Sequence, residues 1–474
     1  MNPVLEQYES GKPIAEGTLG NLTPLQDATL RNLWRRLLAS FPNPVAANHD
    51  DQAVVDPAAA AATLSPALSP TPPPLSGSSV DGSKRSNRLR QSSASPATTP
   101  TSDKQHPNSR SSSSSSSSWF SFGNAAKPEP ISYRQLVGDV APESSRPPER
   151  YSSSVMASAA PTVRDAFWST VMCDHPDVLL LRFLRARKWK PEDALNMLLA
   201  CLRWRLAEDI DWLVWTGESR LNLALMRSGI GALHRTDRIG QPVLHIPVRL
   251  NDPKAQPLEQ IVEYTIYLME VARCVLHPPV EKVCLLVDTT DMSLSNMDWN
   301  FFRTFLHYLE HYYPECLGLV LIYNASWVFN SLWKLIRPLL DPVVASKVQF
   351  AASQKDLLKF IAPENLPVEL GGSDRFAFTY VMPRDGENAP MFDSPAYDAV
   401  AARRKAACDN FETATRAWAN ATLVPAEYLP HARNSVADSV IAASKAMDKY
   451  RRACTQYHRT GVIADDLTVN WSSS

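Results

Sequence analysis

Nowhere in the 474 residues is there an apolar run approaching the roughly 20 that a helix needs to cross a bilayer. Neither sign of charge is in excess. The net charge is -1 and the pI about 6.8, so no basic field points to nucleic acid. The 7 cysteines (Cys173, Cys201, Cys274, Cys284, Cys316, Cys408 and Cys454) contain no CxxC pair. An odd, dispersed set inside apolar segments argues against a disulfide framework and fits reduced core thiols in a cytosolic protein. The start, "MNPVLEQYESGKP", has neither a basic n-region nor an apolar h-region, so no secretory signal is expected. There is no G-x-S-x-G elbow, no G-x-G-x-x-G after a strand and no P-loop, which removes the common hydrolase and nucleotide-binding signatures.

What is present divides along the chain. In "GNLTPLQDATLRNLWRRLLASF", Leu25, Leu30, Leu33, Trp34, Leu37 and Leu38 recur at helical spacing. Thr23 stands as N-cap before Pro24 at N1. From about Pro42 to Tyr151 the text is serine- and proline-rich, with an unbroken serine run from Ser111 to Ser118. So few apolar residues cannot offset chain entropy, and disorder is expected. Two helices are predicted in "VLLLRFLRARKWKPEDALNMLLACLRWRL", the second starting at Pro191 with a stripe of Leu195, Leu198, Leu199, Leu202 and Leu206. Strands are predicted at Gln241–Leu250, Lys282–Asp291 and Gly318–Ala325, with a short fourth at Val348–Phe350. Helical patterns lie between them, at about Leu258–Cys274, Met297–Tyr312 and Ser326–Pro342. Alternating strands and helices predict an α/β fold with a mainly parallel sheet. Two tail helices follow, about Asp398–Ala421 and about Asn434–Tyr457; the second carries Val436, Val440, Ala443, Met447, Tyr450 and Cys454 on one side.

Chemistry-bearing motifs are few. "HYLEH" places His307 and His311 at i and i+4 in the H-x-x-E-H pattern of a zinc hydrolase. Five residues without a third ligand make a weak signal. The simpler reading is a helix whose Phe302, Phe305, Tyr308 and Leu309 pack on the sheet. Asp288 ends a strand, where it can be catalytic or a turn cap. "LGGSD" reads as a turn. More telling is "SWVFNSLWKLIRPLLDP", where Val328, Phe329, Leu332, Trp333, Leu335, Ile336, Leu339 and Leu340 cover an arc of roughly 160°. That is wider than an ordinary surface helix needs, and Pro338 breaks it. With "FFRTF" and "IVEYTIYLMEV", the apolar surface exceeds what one sheet face requires, which points to a large core or to a pocket for an apolar ligand.

"LLRFLRARKWKPEDALNML…CLRWR", "TDRIGQPV", "VDTTDMS", "YYPECLG", "IYNASWVF", "PLLDPVVASKV" and "ENLPVELGG" together resemble the CRAL-TRIO lipid-binding family over about Val178–Tyr380. The first helix and the tail are similar to its fungal branch of non-classical phosphatidylinositol transfer proteins. The resemblance implies a CRAL-TRIO fold, with a helical N-terminal lobe and a mixed sheet forming a lipid cavity under a gating helix. It implies segments 1–42 (helical), 43–155 (linker), 156–225 (N-terminal subdomain), 226–383 (lipid-binding domain) and 390–474 (helical extension). It also implies that Arg187, Lys347 and Glu315 hold or orient an inositol phosphate. Trp327, Phe329, Leu332, Trp333, Ile336 and Leu340 would form the gate, and Val283 and Leu285 would line the cavity. A buried phosphate diester needs cationic donors, so two cations there make physical sense.

Two departures from the family matter. Val344 stands where the family has threonine, and Val283 and Leu285 stand where classical members carry hydroxyls for a choline headgroup. A buried phosphate would lose partners, so phosphatidylinositol is expected to remain a ligand beside something less polar, such as a sterol or another neutral lipid. The implied function is non-enzymatic lipid transfer by a monomer. It would be cytoplasmic and peripheral to membranes, with no cofactor but a bound lipid and with a lipid kinase as a possible recipient. A lipid sensor or scaffold is the alternative, and a zinc hydrolase the weakest reading. "RLRQSSASP" has the pattern of a kinase target, although solvated linker chemistry explains it more simply. Mass spectrometry of the protein from cells should find phosphate between Ser83 and Ser118 if the segment is regulatory; a phosphate-free segment removes that reading.

Overall fold

The computed structural model describes residues 15–43, 161–421 and 428–473. The expected linker lies outside the described residues apart from Asn43, and so do its serines. Six helices come first: α1 (Pro24–Ser40), α2 (Val163–Val171), α3 (Pro176–Ala186), α4 (Pro191–Ala207), α5 (Ile210–Thr216) and α6 (Leu223–Ser228). Strands β1 (Ala232–Thr236) and β2 (Pro242–Pro247) lead to α7 (Leu258–Cys274). Then come β3 (Val283–Asp288), α8 (Trp299–His311), β4 (Leu317–Tyr323), α9 (Trp327–Ile336), α10 (Pro342–Ser346), β5 (Val348–Ala351) and α11 (Gln354–Leu357). The tail holds α12 (Ser394–Asn420), α13 (Tyr428–Asp448) and α14 (Gln456–Arg459). Among the described residues no helix is long and apolar enough to cross a membrane.

The sheet runs β1-β2-β3-β4-β5. β1 is antiparallel to β2, and the other neighbours are parallel, so the mixed, mainly parallel α/β expectation holds. Sequence reading missed β1 because "ALHRT" is short and partly polar. Cys284, Leu286, Leu319 and Leu321 are almost completely buried on one face, against Leu357, Phe360, Ile361 and Leu366. The opposite face carries α7, α8, α9 and α10. Its two rows follow from the register: Leu244, Leu285, Val320 and Val348, then Ile246, Val287, Ile322 and Phe350. "LGGSD" is the predicted turn. Gly371 sits at φ 89, and a Cβ on Gly372 would lie 1.9 Å from the Leu366 carbonyl oxygen.

Both ends of the described chain build the helical lobe. The predicted cap on α1 is present: the Thr23 hydroxyl accepts from Gln26 N, and the Gln26 side chain returns to Thr23 N. Leu30, Leu33, Trp34, Leu37 and Leu38 are buried against α2, α3, α4, α12 and α13. Leu25 does not join them; in the first turn it faces water and is 77% exposed. On α4 the stripe is shifted from the expected one. Ala194, Leu198, Cys201, Leu202 and Arg205 are buried, while Leu195, Leu199 and Leu206 are only partly covered. This shift turns Arg205 inward onto Glu270, 2.7 Å away. α13 ends at Asp448, so Val440, Ala443 and Met447 are buried along it as expected, but Tyr450 and Cys454 lie beyond its end. The last turn, α14, closes the β1 edge, where Leu233 N donates to the Tyr457 hydroxyl at 2.8 Å. Glu218 fixes this tail, accepting from Tyr267, Tyr380 and Arg459.

At the lobe's centre Asp177 accepts both ends of the Arg433 guanidinium, at 2.5 and 2.6 Å, and the Trp34 indole N–H at 2.7 Å. The guanidinium also lies over Trp418 and Phe411. Burial alone would raise the Asp177 pKa, but Arg433 overrides it and holds the carboxyl at about 2. This stability is present above the ordinary carboxyl pKa near 3.8 and is lost as pH falls toward about 2. Arg433→Met leaves a buried carboxylate without its cation and should cost about 3–5 kcal/mol in chemical denaturation at neutral pH. The gap to wild type should narrow as pH falls from about 6 to about 3, because the variant's uncompensated carboxyl protonates there and its penalty goes, while wild type begins to lose the benefit of its pair below about 3.8. A constant gap would show that packing, not charge, sets the loss.

Candidate functional site

The α7–α10 side of the sheet is a floor made wholly of aliphatic and aromatic side chains. Above it lies α8, which behaves unlike its neighbour α7. Eight residues of α7 are buried, whereas none of the 13 in α8 is. Yet α8 carries Trp299, Phe301, Phe302, Phe305, Tyr308 and Leu309. Half-buried apolar groups on a helix over an apolar floor leave apolar area uncovered, a surface suited to an apolar ligand. Phe305 and Leu309 lie over Val283, Leu285 and Leu317 with Val344 beside them. Phe302 meets the next cluster, under α9. Tyr308 turns away from the sheet and packs on Trp204, with centroids 5.3 Å apart. The simpler reading of α8 was therefore right for its phenylalanines and leucine and wrong for Tyr308.

α9 closes the far end. Ser326 caps it, accepting from Phe329 N. Phe329, Leu332 and Ile336 are buried on Ile322 and Met292, with Trp333 and Leu340 partly covered beside them. That i, i+3, i+7 stripe is narrower than the arc read from sequence. Leu335 is 61% exposed and Trp327 80%, so the surplus apolar surface points outward. The helix ends at Ile336, and Pro338 lies in a 3₁₀ turn, Arg337–Leu339, which accounts for the broken pattern. Val343 and Phe350 are exposed as well. At about 100° per residue Trp327 lies opposite the buried stripe, and Leu335 lies about 80° around the helix from Trp327 and roughly 12 Å further along.

The charged residues collect at the edge of this floor where β3 and β4 begin. Lys347, the C-cap of α10, is buried, and its Nζ lies 3.6 Å from a Glu315 carboxylate oxygen. Glu315 stands just before β4 at φ 56, an uncommon backbone for a residue with a side chain. Lys282, just before β3, reaches the same Glu315 oxygen at 3.8 Å. Arg187 is the C-cap of α3, half-buried, and its side chain makes no ion pair among the described residues. It lies close enough to favour ionisation of Glu310, whose carboxyl is otherwise held up by burial and by Asp341. The structure thus brings Lys347 and Glu315 together and sets Arg187 beside Glu310 and His311 instead. Lys282 was missed because it precedes a strand whose apolar run drew the attention. Its signal was the charge at the strand's mouth.

His307 and His311 stack at 4.2 Å, and His311 Nδ1 lies 3.1 Å from the His307 carbonyl oxygen. Burial and then His311 push the His307 pKa down to about 4. No group of three His, Cys, Asp or Glu side chains that could hold a metal occurs among the described residues. Asp288 acts as a cap, accepting from Thr290 N at 2.9 Å, and pairs with Arg249 at 3.0 Å.

Comparison with known proteins adds two matched segments and several relatives. Residues 226–372 match the CRAL/TRIO domain and residues 132–200 the CRAL/TRIO N-terminal domain. A CRAL-TRIO domain-containing protein of Schizosaccharomyces pombe is 35% identical over 64% of this chain and 69% of its own length. Phosphatidylinositol transfer protein CSR1 of Eremothecium gossypii is 36% identical over 55% of this chain and 62% of its own. The Sec14 cytosolic factor of Schizosaccharomyces pombe is 28% identical over 42% and 74% respectively.

The two sides of α9 should respond differently to truncation. Phe329→Ala is expected to cost about 3 kcal/mol in chemical denaturation, the low end for a buried phenylalanine because Trp333 and Leu340 beside it are only partly covered. Trp327→Ala should stay within about 0.5 kcal/mol of wild type. The opposite order would mean that the outer face is the packed one.

Proposed function

Since the chain belongs to the CRAL-TRIO family, we propose that it is a non-enzymatic lipid carrier that takes phosphatidylinositol from one membrane and delivers it to another. The observation that carries this reading is the convergence of Lys347 and Lys282 on Glu315 at the edge of an apolar floor. A headgroup phosphate there finds cationic donors, and the acyl chains find Leu285, Val287, Phe305 and Leu309. Arg187, Lys347 and Glu315 are the proposed headgroup residues, with Arg187 turning to the phosphate when the lipid is bound. Val283 and Leu285 offer a choline headgroup no hydrogen bond, which favours a less polar second ligand such as a sterol or another neutral lipid. α9 is the proposed gate, and its outer Trp327 and Leu335 suit contact with a bilayer interface. We place the protein in the cytoplasm, meeting membranes transiently. Phosphatidylinositol transfer protein CSR1, so named, supports the choice of headgroup.

Lipids copurifying with the full chain should include phosphatidylinositol by mass spectrometry. Arg187→Ala/Lys347→Ala should lower that content about tenfold or more, as expected for lost charge-assisted hydrogen bonds. Unchanged inositide content in the double variant would refute the assigned residues. Vesicle assays should show inositide transfer well above choline-lipid transfer, and equal rates would refute the role given to Val283 and Leu285.

A further inference from the structure

The helical lobe holds a polar pocket that shares no residue with the headgroup edge. It lies where the end of α2 and the start of α5 meet α12 and α13, and Asp211, Arg404, Ser444, Asp448, Arg451 and Arg452 line it. Three guanidinium groups face two carboxylates there. Arg452 is matched: its Nε donates to both Asp448 oxygens at 3.1 Å, and the pair is 4% and 8% exposed. Arg451 lies 3.5 Å from Asp211 and donates to the Ser169 hydroxyl at 3.0 Å. Arg404 is left over. Its Nε donates to the Ser444 hydroxyl at 2.9 Å and an Nη to the Trp168 carbonyl oxygen at 2.6 Å. Both acceptors are neutral, and Arg404 makes no ion pair among the described residues. The acids that follow it on its own helix, Asp409 and Glu412, are committed to Arg164 at 2.5 and 2.6 Å. Burial holds the Arg404 pKa below the ordinary guanidinium value, and Cys408 and Asp211, which oppose it, do not offset it. The Cys173 thiol also lines the pocket, but burial pushes its pKa far up, so it supplies no negative charge. An enclosed guanidinium without a counter-ion is costly.

We propose that this pocket is an anion site, and that its ligand is one small monovalent inorganic ion of the chloride class, held on Arg404 beside Arg451. A single negative charge matches the excess of one cation. The free volume is about 20 Å³, room for one or two water-sized groups but not for the four oxygens of sulfate or phosphate. The ion would neutralise the contact through which the tail helices dock on α2 and α5. This site stands apart from the lipid-carrier reading.

The test uses the full chain, dialysed free of halide into sodium gluconate, with chloride added at constant ionic strength. Binding is read from protein-dependent broadening of the chloride NMR line, and stability from the melting temperature. Wild type should broaden the line saturably and melt about 3 °C higher in saturating chloride than in gluconate. Bromide should displace chloride, and sulfate and phosphate at the same concentration should not. Arg404→Met should abolish both the broadening and the gain in melting temperature. Arg451→Gln leaves the hydrogen bonds of Arg404 in place and should weaken chloride about tenfold; it decides the matter if the methionine variant fails to fold. Asp211→Asn removes a competing negative charge and should tighten binding about threefold or more. No chloride-dependent broadening in wild type, undiminished broadening in the arginine variants, or weaker binding in Asp211→Asn overturns the proposal. Displacement by sulfate as effective as that by bromide also overturns it, because the pocket would then not select a small ion.

Discussion

Parallel strands laid down in chain order can be joined only by crossovers, and crossovers of one hand all return over the same face of the sheet. The rest of this protein follows from that constraint. β2 to β5 are parallel and in sequence order, so α7, α8, α9 and α10 crowd one face. The other face is closed tightly by α11 and the turn that follows it. Four helices cannot all pack closely on one narrow sheet, and α8 and the short α10 are left without a buried residue. The apolar surface left uncovered there is therefore a product of topology. The floor is apolar because the strands are apolar on both faces, as buried parallel strands usually are.

The same crossovers bring charge to one edge. β3 and β4 begin side by side, so the residues just before them, Lys282 and Glu315, must be neighbours. α10 ends where β5 begins beside β4, which delivers Lys347 to the same place. The helical lobe then brings the end of α3 against this edge through Arg185 and Glu281. That lobe depends on a different kind of tie. The buried Asp177–Arg433 pair joins α3 to α13 and sits against Trp34 of α1, so three segments far apart in the chain share one ionic centre. Such a pair costs much to desolvate, and its value here lies in holding one arrangement of the three.

Much of this was legible beforehand, for identifiable reasons. The Thr23–Pro24 start, the Pro191 start and the three central strands follow from local rules of capping and apolar runs, and they were read correctly. Lys347 and Glu315 were legible only through motif resemblance, since nothing in their spacing places them together. β1 was not legible, because a short edge strand with three polar residues out of five has no period to detect. The inward turn of Arg205 was hidden because a helix stripe is normally read from its apolar members. Lys282 was overlooked for a similar reason, being a charge at the margin of an apolar run.

The outward half of "SWVFNSLWKLIRPLLDP" marks the boundary between the two kinds of knowledge. Its composition alone decided that the helix would carry more apolar surface than one side can bury, and that Pro338 would end it. Which residues are buried was decided by the sheet beneath. Phe329, Leu332 and Ile336 are buried with Ile322 and Met292, Trp333 and Leu340 are partly covered, and Trp327 and Leu335 are left in water. In the same way, residue types determined that this chain has strong cations, one well-placed glutamate and an apolar sheet. The shared carboxylate exists only because parallel pairing sets residues from distant parts of the chain within 4 Å of one another. Local sequence acts through hydrogen bonds and periodicity a few residues apart. Contacts made across crossovers are set by the fold as a whole.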